Sequence, residues 1–94
     1  MFIIELTYKK PLDDVEKYIV AHRQFLDKFY NSNNFIASGP QVPRTGGIIL
    51  AKAKSKVEVQ DIIEQDPFYI NSVAEYRIIE FDPIKRQSWF NTEM

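Results

Sequence analysis

Polar and apolar residues alternate at the start of the chain, and the period then lengthens. Residues 2 to 8, Phe-Ile-Ile-Glu-Leu-Thr-Tyr, set Phe2, Ile4, Leu6 and Tyr8 on one side and Ile3, Glu5 and Thr7 on the other. A two-residue period of this kind predicts a strand with one apolar and one mixed face. After Pro11, the residues Val15, Tyr18, Ile19, His22, Leu26 and Phe29 recur at helical spacing, and Asp13 and Asp14 occupy the first turn, where the helix dipole favours acids. The pattern predicts one helix from Leu12 to about Tyr30. Asn31-Ser32-Asn33-Asn34 is turn chemistry, and Phe35 to Ser38 reads as a short strand stopped by Gly39-Pro40.

The loop Gln41 to Thr45 carries Pro43 and Arg44, and Gly46-Gly47 leads into a third strand over Ile48 to Lys54. Ser55 is the expected cap of a second helix whose apolar positions are Val57, Val59, Ile62 and Ile63, with Glu58 as capping-box partner. Pro67 disfavours helical geometry at Asp66, so that helix ends near Gln65. Asp66-Pro67 then starts a single helical turn within residues 68 to 73, and Ala74 to Phe81 alternates as a fourth strand ended by Asp82-Pro83. Lys52, Lys54 and Lys56 alternate like the charged residues that keep an edge strand from pairing.

Strand, helix, strand, strand, helix, strand is the ferredoxin-like order, an α+β fold with a four-stranded antiparallel sheet and both helices on one face. The expected domain is residues 1–83, followed by a tail, residues 84–94. The strands carry apolar residues in both alternation phases, as at Ile3 beside Ile4, Ile48 beside Ile49 and Ile78 beside Ile79. The face without helices should therefore be covered, most simply by a second copy in a dimeric α+β barrel. In such a dimer Glu5, Thr7 and Arg77 become polar groups inside the barrel, and Trp89-Phe90 is too apolar a pair to be left in water. The tail is expected to dock on the body or on the partner subunit.

Composition narrows the chemistry. The chain has 94 residues and no cysteine, which excludes disulfides, thiolate metal sites and thiol nucleophiles. A single histidine excludes any site needing two imidazoles, and a net charge of -1 offers no basic surface for nucleic acid. Apolar runs such as Ile48 to Ala51 are far too short for a membrane span, and Phe2-Ile3-Ile4-Glu5 lacks the basic and long apolar segments of a signal peptide. A cytoplasmic protein without metal or cofactor, membrane or nucleic acid is the expectation.

His22 lies inside the apolar stripe of the first helix, so its ring faces the sheet and needs a hydrogen-bond partner. A satisfied core histidine and a proton-transfer group both fit that position. Asp66 before Pro67 is a sound N-cap, and it also falls on an element adjacent to His22, where a carboxylate orients an imidazole and raises its basicity. Ser38 and Gly39 border the same end of the sheet, either as turn residues or as ligand contacts, and Arg44 is either a solvated loop cation or a carboxylate clamp.

Together, His22 with Leu26, Ser38-Gly39-Pro40, Gly46-Gly47 and Asp66-Pro67-Phe68 resemble the YCII-related (YciI-like) family over residues 2 to 82. The resemblance implies a ferredoxin-like homodimer with an active-site His and Asp pair, which maps onto His22 and Asp66. The candidate substrate-binding residues are Ser38, Gly39, Arg44 and Phe68. The family is similar in architecture to muconolactone isomerase, and one member resembles a dehydrochlorinase acting on a hydroxylated aromatic ring. The implied function is cofactor-independent acid-base chemistry, lyase, isomerase or dehydrohalogenase-like, on a small organic acid or hydroxylated ring compound. The alternatives are a ligand-binding or structural dimer without catalysis, and a haem protein using the lone histidine.

Overall fold

A computed structural model describes residues 1–90. The strands are β1 (Phe2–Tyr8), β2 (Phe35–Pro40), β3 (Gly46–Ala51) and β4 (Ala74–Glu80). The helices are α1 (Leu12–Lys17), α2 (Ile19–Asn31), α3 (Lys56–Ile63) and α4 (Pro67–Ile70). The strands form one antiparallel sheet in the order β2-β3-β1-β4, the expected ferredoxin-like arrangement. Its helix-covered face holds the buried Phe2, Ile4 and Leu6 of β1, Ile49 and Ala51 of β3, Phe35 of β2 and Ala74 of β4, packed with Val15, Phe25, Phe29, Val59, Ile63 and Phe68 from the helices.

The first helix departs from expectation by breaking at Tyr18 (φ -113°, ψ 6°). The helical period runs on across the break, so the sequence does not reveal it. The Tyr18 carbonyl still accepts the His22 amide at 2.9 Å. At the far end, Asn33 adopts φ 66°, a left-handed conformation asparagine tolerates, and turns the chain into β2.

β2 continues through Gly39 and Pro40 instead of stopping at Ser38, because it is an edge strand and an edge proline need donate no ladder hydrogen bond. Pairing with β3 slips by one residue between Phe35 and Ala37: Phe35 opposes Ala51, and Ala37 already opposes Leu50. Residues 35 and 38 would otherwise face opposite sides. The bulge sets both Phe35 and Ser38 on the helix face, Ser38 beside Ile49.

β3 starts at Gly46 and ends at Ala51, displaced from the expected Ile48 to Lys54. The lysine edge is thereby corrected: β3 is an inner strand, Lys52 is buried beyond its end, and Lys56 belongs to α3. Val57 is 71% exposed and is not a core position, since α3 turns only Val59, Ile62 and Ile63 inward. Ser55 does cap α3, accepting the Glu58 amide at 3.3 Å. The Glu58 carboxylate overreaches the capping-box position to take the Lys54 amide at 3.0 Å and the Asn34 side chain at 3.2 Å.

On the face without helices, Ala37, Leu50, Ile3 and Ile79 oppose one another in one row across all four strands. The adjacent row is Gly39, Ile48, Glu5 and Arg77. Ile3, Ile48, Leu50 and Ile79 are only partly covered within one chain. Trp89 is 76% exposed and contacts the Phe90 ring at 6.2 Å, so the body of the same chain does not cover it. The last four residues of the tail lie outside the described residues.

Candidate functional site

Three elements bring one polar cluster together. α2 presents His22 toward the sheet, and the junction of α3 and α4 places Asp66 opposite it. Asp66 is extended (φ -72°, ψ 126°) because Pro67 excludes helical geometry there, and its Oδ1 accepts the Phe68 amide at 2.9 Å as the cap of α4. The same oxygen lies 2.8 Å from Nδ1 of His22. Oδ2 accepts the hydroxyl of Tyr76, on β4, at 2.6 Å. Asp66 has no solvent exposure, and these donors replace the water its carboxylate has lost.

The imidazole is held as firmly as the carboxylate. Its ring stacks on Phe68 with centroids 4.0 Å apart and planes 6° from parallel, and Phe25 lies 6.0 Å away on α2. With Nδ1 bonded to a carboxylate, the neutral ring carries its proton on Nδ1 and leaves the Nε2 lone pair available. Tyr76 is held neutral: burial raises its pKa far above the usual tyrosine range, and the adjacent Asp66 charge and hydrogen bond push it the same way.

His22 borders an open cleft of about 420 Å³ between α2 and the sheet. Its apolar lining includes Leu6, Ile19, Leu26, Ile49 and Phe68, and its polar rim Glu16, Arg23, Ser38 and Arg44. The size and mixed lining suit a small organic molecule. Gly47 adds no side chain at the base of the cleft, and a Cβ there would come within 3.2 Å of the Gly39 carbonyl.

All six expected site residues border this cleft or hold one that does. His22 and Asp66 are in contact, and Phe68 lies under the imidazole with 1% exposure, where it supports the ring. Ser38 enters through the β2 bulge, and its Oγ lies 2.7 Å from the Tyr30 hydroxyl. Gly39 has open space where a Cβ would stand. Arg44 bonds Glu16 of α1 at 2.7 Å across the rim and sits 6.0 Å above the Tyr8 ring. Hydrogen bonding to Glu16, and then to the Tyr8 hydroxyl, also holds its guanidinium more firmly in the charged form.

Sequence reasoning missed Tyr76, Glu16, Tyr8 and Tyr30. A signal for Tyr76 was present: it shares the alternation phase of Ala74 and Ile78, and a tyrosine on a helix-covered face needs a partner for its hydroxyl. Among the described residues no group of three or more histidine, aspartate or glutamate side chains could hold a metal ion, and no helix is long and apolar enough to cross a membrane.

The family model for the YCII-related domain matches residues 1–82. No curated protein matches the chain. Among solved structures, the fold is similar to that of 5-chloro-2-hydroxyhydroquinone dehydrochlorinase from Burkholderia phenoliruptrix, in complex with 2,5-dihydroxybenzoquinone. The TM-score is 0.73 and the identity 19%, over 87% of this chain and 94% of that one.

Proposed function

Starting from the chain's membership of the YCII-related family, we propose that the cleft carries out cofactor-independent acid-base chemistry on a small hydroxylated ring compound or organic acid. The observation that carries this reading is the contact between His22 and the fully buried Asp66 at the wall of an open cleft. Nε2 of His22 is the general base. It takes a proton from a hydroxyl or activated C–H of the substrate, and the electron pair left behind moves into the ring. In an elimination from a ring carbon the imidazolium hands the proton to the carbon that bears the leaving group, and the pair of a second hydroxyl, which loses its proton to the freed Nε2, then expels it as halide; in an isomerisation the imidazolium returns the proton to another carbon. Proton transfer by such a positioned base is worth roughly a hundredfold to ten-thousandfold in rate, and Asp66 serves it by orienting the ring. Arg44 and Ser38 bind the polar edge of the substrate, and the apolar lining takes its ring face.

The fold of the similar dehydrochlorinase, and the quinone bound to it, support the choice of ring compounds. The test is a panel of halogenated hydroxyaromatics and lactones, followed by halide release and ring absorbance. Turnover by wild type should fall by two orders of magnitude or more in His22→Ala and Asp66→Asn. Equal turnover by wild type and His22→Ala disposes of the assignment.

The functional unit of this reading is a homodimer, in which a second copy covers the row Ala37, Leu50, Ile3 and Ile79. Trp89 is taken to reach the partner subunit. Sedimentation at micromolar concentration should give twice the chain mass; a monomer removes this part of the proposal.

A second reading rests on the Phe68 amide and Tyr76 hydroxyl, which tie Asp66 to α4 and β4 whether or not His22 reacts. It makes the cluster a structural anchor beneath a ligand-binding cleft. Ligand binding without turnover, together with a large loss of thermal stability in Asp66→Asn, would favour it.

A further inference from the structure

We propose that Tyr76 is a positioning residue for His22, acting through Asp66; the idea rests on the acid-base reading of the site. The two carboxylate oxygens have divided tasks. Among the described residues Oδ2 receives the Tyr76 hydroxyl, at 2.6 Å, whereas Oδ1 receives the Phe68 amide and faces Nδ1 of His22. The carboxylate is consequently pinned at three points from three different elements. α4 supplies the amide, β4 the hydroxyl and α2 the imidazole, so a rotation of the carboxylate would break all three bonds at once.

Tyr76 fixes the state of the site as well as its geometry. A neutral hydroxyl on Oδ2 satisfies that oxygen and shares part of the carboxylate's charge. Removing that hydroxyl leaves the carboxylate held from α4 and α2 alone, so the plane in which it meets the ring is no longer fixed. Tyr76 also borders a second, shallow hollow, where Tyr69 meets its ring edge-on at 5.8 Å. Through Tyr76, a surface on the far side of Asp66 from the cleft is connected to the reacting imidazole.

Charged and titratable groups face this chain of contacts from both sides. Lys9, Glu64, Tyr69 and Glu75 border the hollow on the Tyr76 side, and Tyr8, Glu16, Arg23 and Arg44 border the cleft on the His22 side. The chain contains one histidine, so a proton resonance from its ring is assigned without ambiguity.

The experiment is NMR of the His22 ring in wild type and Tyr76→Phe, with circular dichroism confirming the fold of both. In wild type the Nδ1 proton facing Asp66 should be protected from exchange with water, and in Tyr76→Phe it should exchange about tenfold faster, because a carboxylate released at Oδ2 no longer holds the ring in one orientation. In wild type the Tyr76 hydroxyl proton should be protected as well, a measurement that needs no variant to fold. Equal protection of the Nδ1 proton in folded Tyr76→Phe, or a freely exchanging Tyr76 hydroxyl in wild type, overturns the proposal. Failure of the acid-base reading looks different: His22→Gln would retain turnover while the coupling between Tyr76 and His22 persisted.

Discussion

The imidazole of His22 lies parallel to the ring of Phe68 at 4.0 Å, and the backbone amide of the same Phe68 donates to the carboxylate that holds the imidazole. One residue therefore supports the ring from below and helps hold its partner from the side. Replacing Phe68, which is buried, by Ala should destabilise the fold by about 3 to 5 kcal/mol in urea unfolding. Phe68→Leu keeps most of the volume without the flat face. It should stay folded and lose turnover through kcat more than through KM, because the imidazole loses its fixed plane; unchanged kcat would show that stacking is dispensable.

Stability at alkaline pH should depend on Tyr76. Its folded-state pKa is raised above the ordinary tyrosine value of 10.0. Above that value the unfolded chain releases the phenolic proton and the folded chain keeps it. Stability is thus complete below pH 10 and falls as pH rises further, by about 1.4 kcal/mol per pH unit from this group. Urea midpoints measured between pH 8 and 11.5 should fall more steeply for wild type than for Tyr76→Phe, and equal slopes would contradict the buried neutral hydroxyl.

Gly46 should not tolerate any side chain. A Cβ built there would overlap the Leu6 carbonyl oxygen, which belongs to the backbone of the neighbouring β1 and cannot move aside without breaking the ladder. Gly46→Ala is expected to cost roughly 3 kcal/mol or more, or to prevent folding. Gly39→Ala is the control, since nothing stands within 4 Å of its would-be Cβ. Equal thermal midpoints for the two variants would contradict this account.

Arg44 should matter to substrate and not to the fold. Its bond to Glu16 joins two side chains that are 39% and 51% exposed, where solvent screening leaves little net stabilisation. Arg44→Ala should unfold at nearly the wild-type temperature but raise KM for an acidic or phenolic substrate about tenfold, as loss of one charged hydrogen bond would. An unchanged KM would return Arg44 to the role of a loop cation.

Much of the fold was legible in periodicity. A two-residue period marked β1 and β4, a helical period marked α2 and α3, and Ser55 and Asp66-Pro67 marked helix starts through local backbone chemistry that acts within a few residues. Errors gathered where local pattern and tertiary context disagree. Lys52 belongs by alternation to a strand, yet the chain leaves β3 at Ala51, and the Lys52 amide bonds to the Asn34 carbonyl at 2.6 Å. Val57 belongs by type to a core, yet it falls on the outer side of α3.

The sequence by itself determined the element order, the apolar face of β1 and the residue types available for chemistry, above all a single histidine among 94 residues. These follow from short-range physics: side-chain alternation, capping and the restriction proline imposes on its neighbour. Tertiary structure alone decided what those residues do to one another. A one-residue bulge in β2 turned Ser38 to the helix face, the order β2-β3-β1-β4 set Tyr76 beside Asp66, and the pairing of His22 with Asp66 spans 44 positions of sequence. Such contacts have no local signature, because hydrogen bonding between distant side chains depends on strand register and helix placement, which only the folded chain as a whole defines.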